Sequence, residues 1–177
     1  MKKTLAIFIL ILIFLISYFI QSNFFSWFTI AGIKPNIFII LVLCIGLYAG
    51  RRVGSILGIV FGLLLDIFVG KQIGISGILL GVVGFTGGNL DKNFSKDSKI
   101  TIILMCIGAT IAYEFINYII LILMYKMEFE VLAITKIALI EAVYNSILII
   151  IFYPFARWIG YRMEDVFKGS NILTRYF

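Results

Sequence analysis

The sequence predicts an all-α membrane protein, a six-transmembrane-helix bundle forming one domain over residues 1–177. Three observations carry this. First, 62% of the residues are hydrophobic and only 14% are charged, with a mean hydropathy of +1.12. A soluble domain is nearer half apolar and about a quarter charged, because water must wet its surface. A surface this poor in charge suits lipid tails, which are as apolar as leucine. Second, the apolar residues fall into runs close to the roughly 20 that a spanning helix uses. Third, the basic residues sit in the gaps between the runs, where membrane topology needs them.

The first span is expected over residues 4–20, behind Lys2 and Lys3. It reads as an uncleaved helix. The run is long for a signal-peptide core, and no A-x-A-like site follows it. The aromatic stretch 23–28 suits a lip at the outer interface. Lys34-Pro35-Asn36 opens the second span, 35–49, since proline is tolerated in a first helical turn. Arg51-Arg52 marks an inner turn, and the third span covers 53–69. Gly70-Lys71 makes an outer turn. The fourth span, 72–89, carries Gly74, Gly77, Gly81, Gly84, Gly87 and Gly88, so it is expected to be broken or closely packed. The polar stretch 91–99 is the main loop. The fifth span covers 100–125 and the sixth 132–153, with a loop over 126–130 between them. Pro154 is expected to end the last span. Residues 155–177 then form a cytoplasmic tail with an interfacial helix.

With the N-terminus inside, the inner gaps hold Lys2, Lys3, Arg51, Arg52, Lys92, Lys96, Lys99, Arg157, Arg162, Lys168 and Arg175. The outer side holds Lys34, Lys71, Lys126 and, near the outer end of the sixth span, Lys136. That is 11 against 4, the full 15 of the chain. The positive-inside rule therefore puts both termini in the cytoplasm, with Arg51 and Arg52 as topology-setting residues. The net charge of +6 does not argue for nucleic acid, because the basic residues are not gathered on one amphipathic face.

Catalytic and metal chemistry finds little to use. Histidine is absent, which removes the commonest general base and the commonest neutral metal ligand. No Walker-type, HExxH, CxxC or EF-hand pattern occurs. Cys44 and Cys106 lie inside apolar runs and read as small buried hydrophobes. No cofactor and no enzymatic activity is expected.

Two polar or small-residue patterns remain. Gly46, Gly50, Gly54, Gly58 and Gly62 recur every four residues, with Asp66 at the next step. Within the third span, Gly54, Gly58, Gly62 and Asp66 share one slowly winding stripe. Such stripes let helix backbones approach closely in lipid. The stripe is either an internal crossing or a groove for a partner's helix, and Asp66 either pairs with Lys71 or lies where that partner binds. Separately, Glu114, Asn117, Glu141 and Asn145 interrupt the last two spans at depth, where polar groups are expensive. Each pair shares a helix face. The expectation is a ladder with Asn117 level with Glu141, and Glu114 level with Asn145. The alternatives for these groups are a substrate or proton path, or contact with a partner protein.

The chain resembles the family of the bacterial rod shape-determining protein MreD. The resemblance rests on the length and six spans, and on Lys34-Pro35-Asn36, Gly50-Arg51-Arg52-Val53-Gly54 and the block from Gly58 to Gly62-Leu63-Leu64-Leu65-Asp66. Glu114 with Asn117, and Asn145, also look like family positions. The resemblance implies a multi-pass protein of the bacterial cytoplasmic membrane, a non-enzymatic scaffold of cell elongation and lateral peptidoglycan synthesis. It implies a bitopic MreC-like partner and, through it, an MreB-like actin filament and the peptidoglycan synthases. It also implies a fold similar to the substrate-binding subunits of energy-coupling-factor transporters. A vitamin-type transporter subunit is the alternative function, and it would show polar and aromatic side chains converging on an outer cavity.

Overall fold

The computed structural model describes residues 2–69, 73–90, 98–126 and 128–167, and among these it is all helical apart from turns and a single isolated bridge. The expected turn at Gly70-Lys71 and most of the loop 91–99 lie outside the described residues, as do Lys168 and Arg175 of the tail. Helix α1, Lys2–Phe19, is prolonged by a π-helical turn, Ile20–Phe24, and by a last turn α2, Phe25–Trp27. Then come α3, Ile37–Ala49; α4, Arg51–Val69; α5, Ile75–Leu90; α6, Lys99–Tyr125; and α7, Val131–Phe167.

Four of these rods are long and apolar enough to cross a membrane: Phe8–Trp27, Arg51–Val69, Lys99–Tyr125 and Val131–Tyr161. Helices α3 and α5 have 13 and 16 residues. At 1.5 Å per residue they reach roughly 20 and 24 Å, short of the roughly 30 Å hydrocarbon core. The structure therefore shows four membrane-length helices where the sequence led us to expect six.

Helix α3 is the centre of the bundle. It is apolar on every side, the pattern of a helix with no face in solvent. Ile39, Val42, Leu43 and Leu47 are fully buried, with Phe38 and Tyr48 scarcely less so. The outer surfaces are equally apolar: Leu104, Leu123 and Leu132 are exposed, as are Ile56, Ile67 and Ile78. Apolar exposure on this scale matches a lipid-facing surface. Helix α1 attaches through rings, Phe14 lying 5.3 Å from Phe38 and 5.1 Å from Phe61, and Tyr18 lying 5.1 Å from Phe68.

Between α3 and α4 the chain reverses at one residue. Gly50 has φ +92°, a conformation that residues with a Cβ rarely adopt, and Arg51 and Arg52 begin the next helix exposed. Two expectations fail against this architecture. The aromatic stretch 23–28 is not a separate lip, because the first helix carries on through it to Trp27. Pro154 does not end the last span. Helix α7 runs through it to Phe167, so the tail up to that point continues the same rod. Proline takes one N–H from the helical ladder, and at Pro154, on an exposed face, the flanking turns hold the rod together.

Candidate functional site

The glycine stripe is an internal crossing. A Cβ at Gly54 would strike the Gly84 carbonyl and the Cα of Gly46. At Gly58 it would strike the carbonyl of Leu80, and at Gly62 the backbone of Ser76 and Gly77. From the other side, Gly84 lies against the Gly54 carbonyl and Gly88 against Arg51. Helices α4 and α5 thus touch backbone to backbone along their length, and the groove expected for a partner's helix is filled by α5. The reason is sequence-local. The fourth span carries its own glycines at matching spacing, so two small-residue faces meet with no side chains between them.

Asp66 closes the same crossing. Its carboxylate Oδ2 accepts the Gly74 N–H at 2.8 Å and the Ser76 N–H at 3.2 Å, and the residue is buried. The first amides of a helix have no partner within the helix. Asp66 supplies one for α5, across the turn that Gly74 makes at φ +109°. The acid points into its own chain and not toward a docking partner. Lys71, its expected ion-pair partner, lies outside the described residues.

The second polar group joins three elements at depth. Asn145 of α7 is fully buried. Its Nδ2 donates to Thr110 Oγ1 of α6 at 3.0 Å, and its Oδ1 accepts the Asn36 N–H at 2.9 Å. Beside it, Gln21 donates to the Pro35 carbonyl at 2.6 Å and accepts the Ile37 N–H at 3.0 Å. The side chain of Asn36 makes no cap of its own. Two amides from distant helices therefore cap α3, each donating and accepting. Asn145 stands 14 positions after Val131, so this clasp lies about 21 Å along α7 from its first residue.

Glu141 is buried and faces both Glu114 and Asn145. Its Oε1 has no hydrogen-bond partner. The ladder thus pairs Thr110 with Asn145, and Glu114 with Glu141. The expected register, with Asn117 level with Glu141 and Glu114 level with Asn145, is off by about one helical turn. The position of Asn145 is set by its bond to Thr110 and by the start of α3, neither of which a depth count along the spans can see. Asn117 is half-buried on the same helix. Sequence reasoning missed Thr110 and Gln21. Thr110 lies four residues before Glu114 on the same face, and that spacing was the available signal. Among the described residues no group of three or more His, Cys, Asp or Glu side chains is placed to hold a metal.

Fold and site together define a multi-helix membrane protein whose few internal polar groups bind helix to helix. Residues 1–159 match the family model described as rod shape-determining protein MreD, and the chain belongs to that family. The family acts in rod shape determination and is not a known family of enzymes. No curated protein and no solved structure matches the chain.

Proposed function

We propose that this chain is a non-enzymatic membrane scaffold of the cell-elongation machinery, acting in rod shape and lateral peptidoglycan synthesis through lateral helix contacts. Its partner is a bitopic MreC-like protein, and through that protein it meets an MreB-like filament and the peptidoglycan synthases. It crosses the bacterial cytoplasmic membrane six times, with both termini cytoplasmic. The short helices α3 and α5 take part in this because their first amides are capped inside the bundle, by Gln21 and Asn145 for α3 and by Asp66 for α5. Non-helical backbone is tolerated at membrane depth where protein groups satisfy it.

The observation that carries the lateral contact is Gly108. A Cβ there meets nothing within 4 Å, whereas the glycines of the α4–α5 crossing meet backbone. Gly108 lines a lateral cleft of about 530 Å³ with Leu43, Leu90, Met105, Ala109 and Ala112, among others. Small residues facing an open cleft are what a second helix needs for close approach. A vitamin-type ligand would call for converging polar groups, and this cleft, like that between α1, α3 and α7, is lined almost wholly by apolar residues.

The test is a pulldown from native membranes. Gly108→Leu has room in the fold, so it should purify folded while recovering at least about tenfold less partner, the equivalent of roughly 1.4 kcal/mol. Full recovery of the partner by folded Gly108→Leu would remove this face from the proposal.

A further inference from the structure

The cleft between α1, α3 and α7 is a second lateral opening of different shape. It is lined by Leu10, Ile13 and Ile16 of α1, by Leu41 and Tyr48 of α3 and by Ala156 of α7, among others. Its volume is about 220 Å³. Leu10 and Ile20 both line it, ten positions apart, so it extends at least about 15 Å along the bundle. A cleft so long and so small in volume is narrow. Its shape suits a single extended hydrocarbon chain better than a helix, which with its side chains is 10–12 Å across. A length of about 15 Å is also half of the roughly 30 Å hydrocarbon core, the reach of a lipid tail within one leaflet.

The lining itself carries no basic residue, but arginines stand next to lining residues at one end. Tyr48 lies near the C-terminal end of α3, which Gly50 joins directly to the exposed Arg51 and Arg52. The ring of Tyr48 packs edge-on against Tyr161 at 5.6 Å, and the guanidinium of Arg157 stands 5.6 Å from the centre of the Tyr161 ring. Arg157 directly follows Ala156, which lines the cleft. Gly160 makes this corner possible, because a Cβ there would strike the Tyr48 ring.

The geometry points to a phospholipid site. One acyl chain of an anionic phospholipid lies between α1, α3 and α7, with its phosphate at the end that carries Arg157, Arg51 and Arg52. Arginine suits the role, as its guanidinium pairs with phosphate while stacked on an aromatic ring.

The test uses the full chain, purified in mild detergent and stripped of lipid. It is titrated with dioleoyl-phosphatidylglycerol or dioleoyl-phosphatidylcholine under native mass spectrometry. One saturable phosphatidylglycerol adduct is expected, with phosphatidylcholine at least about fivefold weaker, or roughly 1 kcal/mol. Arg157→Gln should bring phosphatidylglycerol down toward phosphatidylcholine. Ala156→Phe, which fills the cleft, should abolish the saturable adduct while the melting curve shows a folded protein. Ile16→Trp, on the exposed rim of α1, should do the same and serves where Ala156→Phe does not fold. Equal binding of the two lipids, unsaturable binding, or a saturable adduct that survives both filling variants would overturn the site.

Discussion

Asn145 shows how one side chain can organise a membrane bundle. It meets a helix face through Thr110 and a helix start through the Asn36 N–H. Asn145→Ala leaves both groups unsatisfied at depth. It should lower the unfolding free energy by about 2–4 kcal/mol, read by denaturant titration in micelles. Asp66 provides a graded comparison. Asp66→Ala removes the cap of α5 and should destabilise by about 1–2 kcal/mol, whereas Asp66→Asn keeps an acceptor oxygen and should lose less. Equal losses in the two variants would mean that the carboxylate acts otherwise than as a cap. At this scale the sequence revealed that Asp66, Glu114, Glu141 and Asn145 are special, because a polar residue in an apolar run is conspicuous. It did not reveal their partners. Three of the four groups bonded to Asp66 and Asn145 are backbone amides, which every residue carries.

At the scale of elements, spacing foretold more than punctuation did. The repeat Gly54, Gly58, Gly62 announced a close crossing, and the glycines of α5 announced its other half. Which two helices cross shows only in three dimensions, where Asp66 of α4 caps the start of α5. Punctuation misled at Pro154. The rule that proline ends a helix belongs to water, where a frayed end is readily solvated. In lipid an interrupted helix exposes amides that nothing solvates, so continuing is favoured even with one bond missing. Pro154→Ala should therefore leave the helical content by circular dichroism unchanged and raise the melting temperature, restoring a bond in a rod that already exists. A rise in helical content would mean that the helix breaks at Pro154 after all.

For the whole molecule, the basic residues govern orientation. The 11-to-4 distribution of Lys and Arg is what supports the proposed orientation, with both termini cytoplasmic. A phosphatase fused at the C-terminus should stay inactive and a fluorescent protein fused there should glow, since each reports one side of the membrane. Active phosphatase at that position would mean an odd number of crossings, and α3 or α5 would then be an internal helix that returns to the side it came from.

Composition, periodicity and charge placement by themselves determined that this is an all-helical membrane protein, and which residues are too polar or too small to be there for lipid contact. Those properties are local, set by the transfer of each stretch from water to hydrocarbon. Only the tertiary structure decided that the glycine stripe is filled from within, that the polar ladder shifts by a turn, and that α3 begins in a clasp built from two other helices. Those outcomes depend on backbone amides and carbonyls finding partners far away in the chain, and the backbone is the same at every position of a sequence.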